Sequence, residues 1–314
     1  MNLSRWLSLS LLSSLWLPGL HAQAAHPPLQ LLHSLPIDAA VPDLQPSGLA
    51  WCNGKLLTLS DRHDQQIFRI EFNPQKVTST IGLFRSLQSP PAPEQETLKD
   101  RAQALVSGRR FDWEGISCQN DSLYLLSEQF HDVLQIKPDT MQWLALPQQD
   151  LVGVDHLLVE PNAGLEGISW NQAHLLLAAE RDQRGLLQLN YDQSSWHVSL
   201  RLTPLPPQPP IAGRNPDFSG LWYEAPWLYT LERNLFRVCQ RGADFQQRRC
   251  WSYAHTELAP DQRFQSQYGV AEGIAADATR IYLITDNNNK PLISNPDDRR
   301  PRLWIFAKPD DWGQ

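Results

Sequence analysis

One short pattern is written five times along this chain. The copies begin "PSGLAWCNGKLLTLSDR", "DWEGISCQNDSLYLLSEQ", "GLEGISWNQAHLLLAAER", "DFSGLWYEAPWLYTLER" and "VAEGIAADATRIYLITDN". Each holds a Ser or Glu, then Gly, then Leu or Ile, and runs through apolar residues to a second polar position. The first polar residues, the anchors, are Ser47, Glu114, Glu166, Ser219 and Glu272, at intervals of 67, 52, 53 and 53. A period of about 50 residues built from short Val, Ile, Leu, Tyr and Trp runs is that of a four-stranded propeller blade. The sequence predicts an all-β chain, a five-bladed β-propeller, with six blades as the alternative.

The rest of the chain is read around these copies. Residues 94–110 are the main helical candidate, and they fall inside the long first interval as an insertion. The last copy supplies two strands and a third in "RPRLWIFA", after which the chain ends. Its fourth strand is expected from the otherwise unused N-terminal "PLQLLHSLPI", residues 28–37, pairing with residues 302–306 and removing an exposed edge. The Pro-rich residues 203–217 read as a long loop between copies, because the repeat interval stays at 53 across them.

Residues 1–24 carry one arginine, Arg5, then an apolar run and Ala22-Gln23-Ala24. That is the layout of a cleaved secretory signal, which leaves 25–314 as a single propeller domain, periplasmic or secreted. No other apolar stretch is long enough for a membrane span. Without Arg5 the 27 basic residues become 26 against 34 acidic ones, a net charge of −8. Such a balance opposes nucleic acid or an anionic membrane as partner, and a monomer acting on a small anion is expected. The four cysteines form no C-x-x-C pair, so disulfides are favoured over a zinc site. Cys239 and Cys250 bracket a hairpin-sized loop and are expected to pair, which leaves Cys52 for Cys118.

The second polar positions are Asp61, Glu128, Glu180, Glu232 and Asp286, at offsets of 14, 14, 14, 13 and 14 from the anchors. In an antiparallel hairpin residues of constant sum face each other, and Asn53-Gly54 at the midpoint of the first copy is a strong turn signal. The second polar residue is therefore expected beside the first, at one end of every blade. Because the first strand of a blade lines the central channel, the anchors should converge at one mouth. Clustered carboxylates raise one another's pKa unless a cation joins them, and an all-oxygen ligand set suits Ca2+. Ser47, Glu114, Glu166, Ser219 and Glu272 are thus the expected ligands of one axial Ca2+. Asp61, Glu128 and Glu180 are the candidate catalytic carboxylates of the surrounding rim. Arg62, Arg181 and Arg233 follow three of the rim acids and are candidates for holding an anionic substrate, the plainer reading being that each pairs with its carboxylate. Trp113, next to an anchor, is the aromatic candidate for substrate contact, whereas Trp51, Trp170 and Trp222 read as core between blades.

These motifs, "PSGLAW…LLTLSDR", "DWEGIS…LYLLSE", "GLEGISW…LLLAAER" and "AEGIA…IYLITDNN", resemble those of the phytase-like esterase family (esterase-like activity of phytase) of bacterial secreted propellers, over about residues 40–307. The order of the five anchors is similar to the axial calcium site of the calcium-activated nucleotidases, five-bladed propellers that hydrolyse nucleoside diphosphates beside the metal. That second likeness is confined to the ring. No G-x-S-x-G, H-E-x-x-H, EF-hand loop or P-loop occurs. Two functional expectations follow: a metal-dependent hydrolase of phosphate esters or similar anions, or a non-catalytic propeller whose calcium is structural and whose loops bind a partner or envelope ligand.

Overall fold

The apolar runs of each copy form strands because alternating Leu, Ile, Tyr and Val side chains fill both faces of a pleated surface that is covered on either side. The computed structural model describes residues 26–314, apart from 40, 88–89, 108–109, 155–156, 159–163, 182–183, 193 and 203–214. Residues 1–24 and most of the Pro-rich stretch lie outside the described residues. After an N-terminal strand β1 (Leu31–Ala39), the first copy forms β2 (Pro46–Cys52), β3 (Lys55–Ser60), β4 (Gln66–Asn73) and β5 (Thr78–Ser86). The second forms β6 (Trp113–Gln119), β7 (Ser122–Ser127), β8 (Asp132–Ile136) and β9 (Met141–Trp143). The third forms β10 (Leu165–Asn171), β11 (His174–Ala179), β12 (Gly185–Asp192) and β13 (Ser195–Leu202). The fourth forms β14 (Gly220–Glu224), β15 (Trp227–Glu232), β16 (Arg237–Arg241) and β17 (Gln247–Ser252). The last forms β18 (Ala271–Ala276), β19 (Arg280–Thr285) and β20 (Arg302–Ala307). A helix, α1 (Leu98–Ser107), lies between β5 and β6.

Copies two, three and four are each a four-stranded antiparallel sheet in sequence order. The first and last copies share one eight-stranded sheet, in the order β18-β19-β20-β1-β5-β4-β3-β2. β1 pairs antiparallel with β20, from Leu31 opposite Phe306 to Pro36 opposite Arg302, so the N-terminal segment is the fourth strand beside the last copy. Its end, Ile37 to Ala39, then runs parallel to Ser79, Thr80 and Ile81 of β5 and welds two sheets edge to edge. β20 is consequently flanked on both sides, and Leu303 to Phe306 are fully buried.

The inner strands close a ring: β2 packs on β6, β6 on β10, β10 on β14, β14 on β18, and β18 back on β2. The closure depends on the glycine of each copy. A Cβ on Gly48 would lie 2.9 Å from the Ile116 nitrogen, on Gly115 2.8 Å from Ile168, on Gly167 2.8 Å from Leu221, and on Gly220 3.3 Å from Ile274. On Gly273 it would lie 2.6 Å from the carbonyl carbon of Gly48, returning to the first copy. Five separate apolar clusters fill the gaps between successive copies, the last joining Ala275, Tyr282 and Ile284 to Leu49, Leu56 and Phe68. Cys52–Cys118 ties β2 to β6, and Cys239–Cys250 ties the facing positions of β16 and β17. The architecture is an all-β propeller.

Gly273→Ala is expected to destabilise the protein by about 3 kcal/mol, because the added methyl meets backbone that cannot yield. Gly82→Ala, whose Cβ meets nothing within 4 Å, serves as the control. Urea unfolding of the two variants checks this, and equal midpoints would contradict the close-packed ring.

Candidate functional site

Three anchors owe their orientation to a local irregularity. In the second, third and last copies the ladder skips one residue: Trp113 pairs with Ser127 and Gly115 with Leu126, Leu165 with Ala179 and Gly167 with Ala178, Ala271 with Thr285 and Gly273 with Ile284. The skipped residues are Glu114, Glu166 and Glu272. A bulge of this kind bends the strand and re-aims one side chain, and here it turns each glutamate into the mouth of the ring.

The bulge also corrects the register expected from the sequence. The second acid does not face the anchor; it faces the residue two positions earlier. The Glu128 amide donates to the Asp112 carbonyl (2.9 Å), that of Glu180 to Gly164 (3.0 Å) and that of Asp286 to Val270 (2.8 Å). The Asn53-Gly54 turn is as expected, with positive φ at both residues, so the offset arises from the extra residue at the other end of the hairpin. Anchors and second acids nevertheless gather at one end of the sheets.

They line a cavity of about 300 Å3. Glu114, Glu166 and Glu272 come from the bulges; Asp61, Glu128, Glu180 and Asp286 come from the ends of the second strands; Asp112 joins them from its place opposite Glu128. Against these eight carboxylates stand two guanidiniums, Arg181 and Arg233, among the described residues. Carboxylate oxygens of Asp112, Glu114 and Glu128 lie within 4.8 Å of one another, as do those of Glu128, Glu166 and Glu180.

The electrostatics follow from that crowding. Burial, reinforced by Glu128 and Asp112, holds the Glu114 carboxyl well above the ordinary 4.5. Burial, with Glu180 and Glu114 beside it, does the same to Glu166. Glu128 is pushed up to about 7 by burial and by Asp112, and burial raises Asp286 to about 6. Glu272 reaches about 8, mainly through burial, even though Arg233 pulls it down, because one guanidinium is shared among several carboxylates. Arg233 itself is held firmly charged: burial opposes its charge, but the carboxylates of Glu272 and Asp217 outweigh that cost.

Several expected site residues lie elsewhere. Ser219 is fully buried, and its Oγ donates to the Ala271 carbonyl (2.7 Å) instead of reaching the cavity. Ser47 lines the cavity while donating to the Trp113 carbonyl, so both serines stitch one copy to the next. Glu232, expected on the rim, is fully buried and bound by Arg184, Arg237 and Arg241. Despite burial, those three arginines lower its pKa to about 2. Trp113 cannot contact a substrate: it is wholly buried, stacked on Phe111 and Trp143, with Nε1 donating to the Asp64 carbonyl. Arg62 lines a neighbouring cavity and sits 3.6 Å from Asp61. Arg233 is not an anion-binding arm, since Nε meets Asp217 (2.7 Å), Nη2 meets Glu180 (2.6 Å) and Nη1 meets Glu272. Arg181 stays at the mouth, with Nη1 on Glu180 Oε1 at 2.6 Å.

Two acids escaped the sequence reading, Asp112 and Asp217. Both stand two residues before an anchor, in "DWEG" and "DFSG"; the bulge of the second copy sets Asp112 opposite Glu128, whereas in the fourth, whose ladder is unbroken, Asp217 binds Arg233 and Asn234. The 13-residue offset of the fourth copy was the other signal. Counting 14 from Ser219 gives Arg233, so an arginine occupies the place that Asp61, Glu128, Glu180 and Asp286 hold in the other copies.

The sequence matches no protein-family model and no curated protein. In structure it is similar to glutaminyl cyclase from Myxococcus xanthus, with a TM-score of 0.52 and 11% identity over 89% of this chain and 99% of that one. A PQQ-bound aldose sugar dehydrogenase from Streptomyces coelicolor aligns with a TM-score of 0.47 and 10% identity over 89% of this chain and 98% of that one. A gluconolactonase from Xanthomonas campestris gives 0.47 and 10% over 91% and 99%. These neighbours are β-propellers, and at such identity the first likeness establishes the fold alone.

Protons on the crowded carboxyls stabilise the folded state, so the metal-free protein is expected to lose stability as pH rises from the ordinary 4.5 through about 7 and about 8, where Glu128 and Glu272 release them. His26 and His131, lowered by burial, pull the other way but are outnumbered. Glu232 contributes a rise only below 4.5. The melting temperature of chelator-treated protein should fall between about pH 5 and about pH 8. A steady rise over that range would mean that the carboxylates are not clustered in this way.

Proposed function

We propose that this chain is a secreted, five-bladed β-propeller that binds Ca2+ in its acidic mouth and hydrolyses small anionic esters there, phosphate esters first. The count of five rests on the five repeats and the five inner strands that close on themselves, with the eight-stranded sheet taken as two blades joined through β1 and β5. Two disulfides and a leader-like N-terminus support the periplasmic or secreted placement. The motif likeness to the phytase-like esterases points to the same class of propeller.

The observation that carries the reading is the excess of eight carboxylates over two guanidiniums in one cavity. A buried charge imbalance of that size is relieved by protons or by a cation, and rigidly held oxygen ligands fit Ca2+ better than a softer metal. The fit is supported by a buried oxygen with nothing to accept from: Glu180 Oε2, in the cluster with Glu128 and Glu166, has no hydrogen-bond partner. When bound, the ion supplies positive charge to which an ester anion is drawn and which polarises its scissile bond. Glu114, Glu128, Glu166 and Glu180 would hold it. Asp61, on the same mouth, is assigned to orient the attacking water, and Arg181 to receive an anionic oxygen of the substrate. Glu128 and Glu180 thereby move from the catalytic role expected of them to that of ligands. The alternative, a calcium that only stiffens the ring, draws on Arg233, which already ties Glu180, Asp217 and Glu272 together across three copies.

If Ca2+ binds the folded ring alone, a hundredfold excess over its dissociation constant stabilises by about 2.7 kcal/mol. Glu166→Gln should remove most of the calcium-dependent rise in melting temperature, and Glu71→Gln, whose side chain is exposed and outside the mouth, should preserve it. Hydrolysis of p-nitrophenyl phosphate, nucleotides, phytate and short acyl esters, with and without chelator, tests the activity. Calcium-dependent stabilisation without turnover of any of them would favour the structural ion. Identical melting with calcium and with chelator would exclude the ion itself.

A further inference from the structure

We infer that Arg233 is a built-in counter-cation for one side of the acid ring, and that the divalent cation binds off the axis on the other side, between the second and third copies. The inference rests on the proposed calcium reading and changes where the ion sits: Asp112, Glu114, Glu128, Glu166 and the free oxygen of Glu180 hold it, while Glu272 and Ser219 do not.

The fourth copy is the departure from the repeat. Its second acid comes one residue early, so Glu232 turns away to Arg184, Arg237 and Arg241, and Arg233 enters the mouth in its stead. Arg233 is held there from every side. The backbone makes a tight turn at Arg233–Leu235 that ends in Phe236 with φ of 52°. The loop glycine Gly269 presses on the stem, and a Cβ there would lie 2.6 Å from Arg233 Cγ. Nε, Nη1 and Nη2 then meet carboxylates from three different places, namely Asp217, Glu272 and Glu180. An arginine so placed is a permanent occupant of the side of the ring shared by the third, fourth and fifth copies.

Glu114, Glu128 and Glu166 form no ion pair with Arg233. The cluster of Asp112, Glu114 and Glu128 and that of Glu128, Glu166 and Glu180 share Glu128, so five carboxylates face one region. Within it Glu166 is 8% exposed and receives no hydrogen bond or ion pair from any described residue, although a carboxylate oxygen of it points to within 4.8 Å of those of Glu128 and Glu180. Glu180 divides its oxygens between the two regions: Oε1 takes Arg181 and Arg233, and Oε2, buried, takes nothing. A buried carboxylate without a donor is costly unless something positive belongs beside it. Hard oxygen ligands in this number, unassisted by nitrogen or sulfur, describe a Ca2+ site.

The test is calorimetric titration of Ca2+ into the full chain. The wild type should take up one equivalent. Glu166→Gln and Glu128→Gln should each weaken binding by about tenfold or more, because each removes a charged ligand. Glu272→Gln should leave the affinity within about threefold, since Glu272 belongs to neither carboxylate cluster and its Oε1 is held by Arg233. Ser219→Ala, which loses only a bond to a carbonyl on the next copy, gives a second reading of the same point should Glu272→Gln fold poorly. Equal weakening by Ser219→Ala or Glu272→Gln and by Glu166→Gln would restore a shared axial ion and overturn the inference while sparing the calcium reading. Two equivalents in the wild type would also overturn it, by placing an ion on the side that Arg233 fills. No binding at all would end both.

Discussion

The inner strands can meet only because the residue after each anchor has no side chain. Gly48, Gly115, Gly167, Gly220 and Gly273 let each copy rest on the next at backbone distance, and the last of them rests on the first. Beside those glycines the first strands differ: in the second, third and last copies the ladder bulges at a glutamate, which is turned into the central opening, in the first it skips Gly48 itself, and in the fourth it runs unbroken. Where Glu precedes Gly, the bulge adds a carboxylate to a crowded mouth.

Crowding has a magnitude. Two carboxylates 4.8 Å apart repel by about 3 kcal/mol at an effective dielectric near 20, and each of the two clusters contains three such pairs. The structure offers three kinds of relief. Protons are one, as the raised pKa values of Glu114, Glu128, Glu166 and Glu272 express. Arg233 is the second: it forms ion pairs with Glu180, Glu272 and Asp217, and its charge also bears on Glu166. A bound cation is the third, proposed for the acids that form no ion pair with Arg233. A similar economy governs Glu232, where three arginines surround a single buried carboxylate and the group is kept ionised. Removing one partner from such a buried set leaves an uncompensated charge, which is why the position of each arginine matters more than their number.

Much of this was legible in the sequence. The period of the copies, the strand runs, the N-terminal strand beside residues 302–306, the Cys239–Cys250 bridge and the convergence of Glu114, Glu166 and Glu272 could be read from spacing and turn chemistry, and Cys52–Cys118 followed by elimination. What could not be read was a one-residue irregularity. Period-2 logic assumes an unbroken ladder, and a single bulge slides the pairing, so the partner of Glu128 is Asp112 and not Glu114. The parallel weld of β1 to β5 is likewise a non-local pairing between two outer edges, with no local signal. Trp113 misled because its place beside an anchor suggested the mouth, whereas side chains alternate along a strand and its ring points into the apolar layer with Phe111 and Trp143. The offset of 13 in the fourth copy was visible, and its meaning emerged only once Arg233 was found where the acid should be.

The central claim is that the clustered acids that form no ion pair with Arg233 are held by a divalent cation. Crystals grown with Mn2+, a calcium substitute with a usable anomalous signal, would test it most directly. The account expects one anomalous peak within coordination distance of Glu128 and Glu166, displaced from the ring axis and away from Arg233. A peak on the axis among Ser47, Ser219 and Glu272, or a mouth with no peak while Glu128 and Glu166 remain in place, would contradict it.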